Sequence, residues 1–195
     1  MVFWLGILVG GLFAWLAVKI GFYETWTMLF NIVISIYVAV FLGPVILDII
    51  PAAGDTAFGK VLAMITTGVG VFLILHCISY TFLTGQFSVS FPGIFNTLGA
   101  ALLGFVAGFL VWSFVSLLIC ISPISQNSII KGLGFGSESQ QANISYIGRW
   151  CDLVNKVVAS EESESSARET IGELLGEKKQ VGEPAEPNEP GVGDI

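Results

Sequence analysis

Residues 94–121 read IFNTLGAALLGFVAGFLVWSFVSLLICI and contain no charged side chain. This run is longer than the about 20 residues that an α-helix needs to cross a bilayer. It also lacks the ten-residue alternation of apolar and polar side chains that is typical of a membrane β-barrel strand. The stretch therefore predicts a membrane-spanning helix that ends before Ser122 and Pro123.

Three more apolar runs precede this one, over residues 2–20, 26–50 and 61–82. The first contains Lys19 as its only charge, and at 1.5 Å per residue it extends about 28 Å, close to one hydrocarbon thickness. A cleaved signal peptide is the competing interpretation, but no basic segment precedes the run and no A-x-A-like site lies near its end. We expect a retained helix, and so an all-α polytopic membrane protein with a four-helix transmembrane domain over residues 1–122.

The composition of the chain agrees with this prediction. Of 195 residues, 54% are hydrophobic and 12% are charged, whereas soluble domains average about 25% charged. Residues 1–121 carry 3 acidic and 2 basic side chains, and the other 74 residues carry 12 and 6. No basic stripe is present, so the expected partner is the lipid bilayer and not a nucleic acid.

The charged C-terminal part divides into three predicted segments. Residues 123–142, which include the glycine-rich 132–136, are expected to form a flexible linker. Residues 143–158 place apolar side chains at intervals of three and four, which predicts an amphipathic helix with Arg149 and Trp150 as interfacial residues. This helix either lies in the membrane interface or packs on the cytoplasmic end of the bundle. Residues 159–195 are expected to be an acidic, largely disordered tail with one short surface helix from about Ser165.

The orientation in the membrane is predicted from the basic residues. With four spans, both termini lie on one side of the membrane, and residues 20–25 and 83–93 lie on the other. The first side has Lys60 and Lys131 near the membrane, and the second has Lys19. Because cytoplasmic loops carry the excess of Lys and Arg, we expect both termini to be cytoplasmic.

Glycine pairs on the first and fourth spans predict close helix packing. Gly6 and Gly10 are four residues apart, as are Gly104 and Gly108, so each pair lies on one helix face. Gly99 extends the second face. These faces serve either packing within one chain, which we favour, or a homodimer contact.

Polar residues inside the spans are the other candidate functional residues, because a polar group is costly at membrane depth. One polar cluster is predicted towards one membrane surface, and it contains Asn31, His76, Ser79, Tyr80, Asn96 and Thr97. A histidine in such a cluster could relay a proton near neutral pH or could hold the helices together through hydrogen bonds. We favour the structural role. Asp48 lies near the opposite surface and is not expected to reach His76.

No catalytic or metal-binding pattern accompanies this cluster. The chain has one histidine and lacks the G-x-S-x-G, S-x-x-K and H-E-x-x-H motifs of hydrolases. Cys77, Cys120 and Cys151 lie far apart and form neither a C-x-x-C motif nor half of a zinc site. We therefore expect a protein that is not an enzyme and that has no cofactor and no bound metal.

Three stretches resemble a known family. Residues 21–29 (GFYETWTML) are similar to its G-F-x-x-E segment between the first two helices, and residues 96–108 (NTLGAALLGFVAG) are similar to the D-R-x-L-G-x-x-x-G-x-x-x-G segment that begins its last helix. Residues 147–150 (IGRW) are similar to an Arg-Trp pair in the helix that follows. Asn96 and Thr97 replace the Asp-Arg pair, and Ile20 stands where an arginine often occurs. The chain thus resembles the colicin V production protein (CvpA) family of bacterial inner-membrane proteins over about residues 2–158.

The resemblance implies a multi-pass inner-membrane protein linked to the production and export of a peptide toxin, without an established catalytic site. The leading hypothesis is a non-enzymatic protein that assists toxin export or envelope maintenance and contacts other membrane or export proteins, or a second copy of itself. The alternative is a small transporter or channel built around the polar cluster at His76. The two hypotheses differ in whether water or solute must reach His76.

Overall fold

A computed structural model describes residues 2–49, 56–84, 92–122, 127, 132, 134–135, 141–158, 170–172 and 175. The long helices of these residues are α1 (Val2–Ile20), α2 (Phe22–Ile49), α3 (Ala57–Ser79), α4 (Ala100–Ile121) and α5 (Gln141–Val158). A π-helical turn, Tyr80–Thr84, extends α3, and another, Phe95–Gly99, precedes α4. No strand occurs in the described part of the chain.

The prediction of an all-α polytopic membrane fold is confirmed. Among the described residues, four segments are long and apolar enough to cross a membrane: Val2–Ile20, Phe22–Gly43, Phe58–Leu83 and Phe95–Ile121. Each is an uninterrupted helical segment of at least 19 residues, which satisfies its backbone N–H and C=O groups internally, as the hydrocarbon core requires.

The turn between α1 and α2 differs from the loop that was expected over residues 20–25. Gly21 alone separates the two helices, and its φ of 106° lies in the left-handed region that glycine adopts at low cost. The second helix therefore begins at Phe22, four residues before the expected start. Thr25 was expected to lie in the loop, but its hydroxyl donates to the Gly21 carbonyl at 2.7 Å and so is satisfied within a helical turn.

The four spanning helices form two pairs around a central contact. Helix α1 packs on α4, α3 packs on α2, and α2 and α4 contact each other between these pairs. The buried share of the spanning segment is 56% for α2 and 44% for α4, against 17% for α1 and 11% for α3. Helices α2 and α4 are therefore central, whereas α1 and α3 expose most of their surface to the bilayer.

Helix α5 packs on the bundle, which is one of the two uses predicted for it. The Tyr146 ring meets the Phe109 ring of α4 edge-on at 5.0 Å, and the Tyr37 hydroxyl of α2 donates to the Asn155 side chain at 3.0 Å. Ile147 and Cys151 are fully buried in the same apolar core as α2 and α4. This helix therefore covers part of the central pair.

Parts of the predicted linker and tail also join the core. Phe135, in the segment expected to be flexible, is buried against Trp112, and its carbonyl accepts a hydrogen bond from the Cys120 thiol. Ile171, in the short surface helix expected from about Ser165, is fully buried in the core. Both are apolar side chains within polar stretches of the sequence, and burial removes them from water. Most of the predicted tail lies outside the described residues.

Candidate functional site

The turn between α1 and α2 meets the beginning of α4 in one polar contact. The Asn96 side-chain oxygen accepts a hydrogen bond from the backbone N–H of Phe22 at 2.9 Å. The Phe22 ring lies so close to Gly99 that a Cβ there would be 2.6 Å from a ring carbon. We call the group Gly21, Phe22, Asn96 and Gly99 the turn junction. It joins residues from the first and second stretches that carry the family resemblance.

The backbone groups at the turn itself are engaged in hydrogen bonds. The Gly21 N–H donates to the Ala17 carbonyl at 2.8 Å, and the Gly21 carbonyl accepts from the Thr25 N–H at 3.1 Å. Phe22 is one of the first residues of α2, whose N–H groups have no acceptor inside the helix, and Asn96 supplies one. The turn junction thus caps a helix, and none of these bonds requires a bound ligand.

Two charged residues flank the turn junction. The Lys19 ammonium lies over the Trp15 ring at 4.1 Å from its centre, a cation–π contact. Glu24 is exposed in the first turn of α2, where the helix dipole favours a negative charge. These side chains are suited to the polar boundary of the membrane, and they place this end of the bundle near the headgroups.

Asn31 and Ser79 form a hydrogen-bonded pair between α2 and α3. The Asn31 amide nitrogen donates to the Ser79 hydroxyl at 3.1 Å, and the Asn31 oxygen lies 3.2 Å from the same hydroxyl. Asn31 is 2% exposed. A buried amide in a membrane span needs such a partner, so the pair holds the outer helix α3 on the central helix α2.

The structure separates most of the residues that were expected to cluster around His76. His76 is exposed on α3, and its ring is stacked on Phe72 at 5.6 Å. Asn96 belongs to the turn junction, and Thr97 is exposed beside it. Asn31 lies nine residues after Phe22 on α2, so it is about 13 Å along the helix from the residue that Asn96 binds. Asn31 is bound to Ser79, another residue of the expected cluster.

The predicted glycine faces pack against each other between α1 and α4. A Cβ on Gly6 would lie 2.8 Å from the Trp112 ring, and one on Gly10 would lie 2.9 Å from the Phe105 ring. On the facing helix, a Cβ on Gly104 would collide with Ala17, and one on Gly108 would lie 2.6 Å from the Phe13 Cβ. The glycines are therefore used within the chain, where they allow the two backbones to approach closely.

The outer surface of α5 carries features that the periodicity did not show. Arg149 is exposed, and Trp150 is half-buried with its ring edge-on to Tyr146 at 6.3 Å. Leu153 is 56% exposed, and Val157, which the pattern assigned to the apolar face, is 81% exposed. With the exposed Lys156, these residues form a surface that we call the α5 outer face: Arg149, Leu153, Lys156 and Val157.

The buried side of α5 carries two titratable side chains, Cys151 and Tyr146, that stay protonated. Burial and, to a lesser degree, the neighbouring Asp152 carboxylate raise the pKa of the Cys151 thiol to about 12. Burial also raises the pKa of Tyr146, and its hydrogen bond with Trp150 opposes that effect. Both groups are therefore neutral at physiological pH, and the Cys151 thiol lacks the thiolate form that nucleophilic chemistry needs.

Two buried serines on α4 were not singled out from the sequence. Ser113 and Ser116 are fully buried, and neither hydroxyl has a hydrogen-bond partner within the described residues. Their spacing of three residues places them near each other on the helix. Within the same described part of the chain, no group of three or more His, Cys, Asp or Glu side chains could hold a metal ion.

One of three comparisons with known proteins identifies a family for this chain. The family described as Colicin V production protein matches residues 4–142, well over half of the chain. Searches of curated proteins and of solved structures found no match. The match includes the stretches at residues 21–29 and 96–108, which meet at the turn junction, and ends before residues 147–150. By its sequence, and with four membrane-spanning helices in its fold, the chain belongs to the colicin V production protein family.

Proposed function

We propose that this protein is a non-enzymatic accessory protein of the bacterial inner membrane that assists the export of a peptide toxin or the maintenance of the envelope. In this proposal it acts by contacting another membrane or export protein. The family description supports the link to toxin production. The polar side chains of the turn junction and of the Asn31–Ser79 pair are engaged in holding helices together, which favours a scaffold over a site for chemistry.

The observation that carries the proposal is the α5 outer face. Helix α5 is held to the bundle by buried residues, yet Leu153 and Val157 remain 56% and 81% exposed on its outside. The exposed cations Arg149 and Lys156 lie beside them. Apolar side chains flanked by charges are typical of a protein contact whose centre is apolar and whose rim is polar. We propose that the export partner binds there.

The proposed orientation puts this surface in the cytoplasm. Helix α5 follows the fourth span, so it lies on the same side of the membrane as the start of α1. Lys60 and Lys131 also belong to that side, and Lys19 belongs to the other. The excess of basic residues supports cytoplasmic termini. The partner would then be the cytoplasmic part of a membrane protein, or a protein bound to it.

The transporter alternative depended on a polar cluster reached by water. His76, its central residue, is exposed and stacks on Phe72. Asn31 and Asn96 make separate hydrogen bonds elsewhere. No observation on the described residues favours this alternative, and we do not propose it.

The test is photo-crosslinking from the α5 outer face in intact cells. A photoreactive amino acid replaces Leu153 in one variant and Gln141 in a matched control, which is exposed at the beginning of the same helix, about 18 Å from Leu153 along its axis. We expect Leu153 to give a reproducible crosslink to one membrane or export protein, and Gln141 to give none. Crosslinks of Leu153 to lipid alone would reject the proposed contact. A crosslink to a second copy of the chain would also reject it and would show that this face forms a homodimer.

A secretion assay connects the contact to function. Cells that lack their own family member and carry colicin V genes receive the wild-type protein or the variant Leu153→Ser/Val157→Ser. We expect the variant to restore less secreted toxin at an equal amount of membrane-inserted protein, while Gln141→Ser restores the wild-type level. Equal secretion by all three proteins would contradict a role of this face in export.

A further inference from the structure

An apolar groove lies between the two helix pairs on the membrane-facing surface. Phe13 of α1 and Phe72 of α3 form parts of its walls, and side chains of the central helices, including Ile32 and Phe114, also line it. Its volume is about 300 Å³. Val69 is 52% exposed and Phe13, Phe72 and Phe114 are part-exposed, so the groove is open on one side. We call this feature the interpair groove.

The interpair groove lies within the hydrocarbon layer. On α2 it extends from Met28 to Ile36, which are six and fourteen residues after the helix begins at Phe22. At 1.5 Å per residue these positions are about 9 to 21 Å from the end of the span. All of its lining residues belong to the four spanning segments. The material that meets its opening is therefore the apolar interior of the bilayer.

Water is a poor occupant of this space. Ser35 is the only lining residue with a polar side chain, and its hydroxyl donates to the Asn31 carbonyl at 2.6 Å. A buried water needs two to four polar partners, and an apolar cavity without them stays dry. The occupant must therefore be apolar.

An acyl chain of the bilayer is the apolar molecule that meets the opening of the groove. If a methylene group occupies about the 30 Å³ of a water molecule in the liquid, a groove of about 300 Å³ has room for a segment of one chain. A helix of a second copy is the other apolar occupant, and native mass spectrometry distinguishes it from a lipid.

We propose that the interpair groove is a lipid-binding site that holds one acyl chain of a membrane phospholipid. The chain lies between Phe13 and Phe72 and packs on the central helices. It fills space that the side chains of α1 and α3 leave open, and the dispersion contacts of its methylene groups replace those that an empty groove lacks. The bound lipid thereby joins the α1–α4 pair to the α2–α3 pair.

Two glycines of α3 provide a matched test. Gly68 lines the groove, and a Cβ there makes ordinary contacts, 3.4 Å from the Ala39 Cβ and 3.7 Å from the Phe114 ring. Gly70 lies outside the groove with nothing within 4 Å of a Cβ. The variants Gly68→Leu and Gly70→Leu therefore make the same chemical change on one helix, but only the first fills the groove. Val69→Phe narrows the groove from its exposed edge and serves as a second filling variant.

The measurement is native mass spectrometry of the protein taken from nanodiscs of palmitoyl-oleoyl phosphatidylglycerol into a mild detergent. We expect one retained lipid on the wild type and on Gly70→Leu, and loss of that lipid from Gly68→Leu and Val69→Phe. Circular dichroism checks that each variant is helical, and Val69→Phe decides the question if Gly68→Leu does not fold. Equal lipid retention by all four proteins would overturn the proposal. A homodimer that the two filling variants abolish would also overturn it, because a second copy of the chain would then occupy the groove.

Discussion

The side chain of Asn96 binds the backbone N–H of Phe22 at 2.9 Å, across 74 residues of sequence. Through this one bond, the beginning of the fourth span caps the beginning of the second. The family pattern has an aspartate where this chain has Asn96. Both side chains carry an oxygen that accepts a hydrogen bond, so the capping role depends on an acceptor and not on a charge.

Removing that acceptor is expected to weaken the turn junction. The Asn96→Leu variant leaves the Phe22 N–H without its partner, and the loss of a capping bond typically costs about 1 kcal/mol of the free energy of unfolding. Asn96→Asp keeps the oxygen and should keep most of the stability. The measurement is unfolding by SDS in mixed micelles. Thr97→Val is the control, because the exposed Thr97 hydroxyl has no hydrogen bond to a described residue, and an equal loss in that variant would contradict the capping role.

Close packing of α1 on α4 predicts a strong effect of one methyl group. In Gly108→Ala the new Cβ would lie 2.6 Å from the Phe13 Cβ and 3.0 Å from the Gly10 Cα, so the helices must move apart. Overpacking of this kind costs about 1–3 kcal/mol of unfolding free energy. Gly11→Ala is the matched control, because a Cβ there meets nothing within 4 Å. Similar unfolding curves for the two variants would show that these helices do not pack through Gly108.

The hydrogen bond between α2 and α3 predicts different outcomes for two neighbouring polar residues. Ser79→Ala removes the partner of Asn31 and should lower the unfolding free energy by about 0.6 kcal/mol and at most about 1.7 kcal/mol, the average and the maximum measured for hydrogen bonds between membrane helices. His76→Leu should change it by less than about 0.5 kcal/mol, because His76 is exposed. A double-mutant cycle of Ser79→Ala with Asn31→Ala isolates the pair. Coupling near zero, or a larger loss from His76→Leu, would refute the assignment.

Burial of Cys151 predicts the pH dependence of α5 docking. The folded pKa of about 12 lies above the ordinary value of 9.0, so the fold favours the neutral thiol. This contribution to stability is complete below pH of about 9 and is lost as the pH rises towards 12. In a protein whose other cysteines are replaced by serine, maleimide labelling at neutral pH should be much slower for Cys151 than for a cysteine introduced by Val157→Cys. Above pH 9, the labelling rate of Cys151 should increase by a larger factor than the labelling rate of the exposed cysteine.

The Tyr37–Asn155 bond offers an independent check on the same docking. Tyr37→Phe removes the hydroxyl that donates to Asn155, and we expect faster labelling of Cys151, because α5 then leaves the bundle more often. Labelling of the exposed cysteine from Val157→Cys should not change. If Cys151 reacts as fast as the exposed site in the unaltered protein, α5 is not docked as described.

The spans were predictable because a bilayer demands long apolar helices whatever their neighbours are. The beginning of α2 was missed because Glu24 and Thr25 are polar and were assigned to a loop. At a helix N-terminus, however, an acidic residue is favourable because of the helix dipole. The Thr25 hydroxyl donates a hydrogen bond to the Gly21 carbonyl, so it is also compatible with a helix. Residue type alone could not distinguish these situations.

The candidate site was less predictable, because depth in the membrane can be counted along a sequence but the direction of a side chain around its helix depends on which helices are neighbours. His76 lies within one helical turn of Ser79, yet α3 presents Ser79 to Asn31 and leaves His76 exposed. The glycine faces were expected to be packing surfaces, but only the fold pairs Gly10 with Gly108, on the first and last spans. Which helices pack together depends on the whole fold and not on any one span.

The one-residue turn at Gly21 also sets an order of events during synthesis. The first two spans are joined as a hairpin as soon as α2 is made, but the acceptor for the Phe22 N–H belongs to Asn96, 74 residues later. At about 5–20 residues per second, the ribosome needs about 4–15 s to reach it. The hairpin therefore waits in the membrane with an uncapped helix, and its final hydrogen bond forms only when the last span begins to insert.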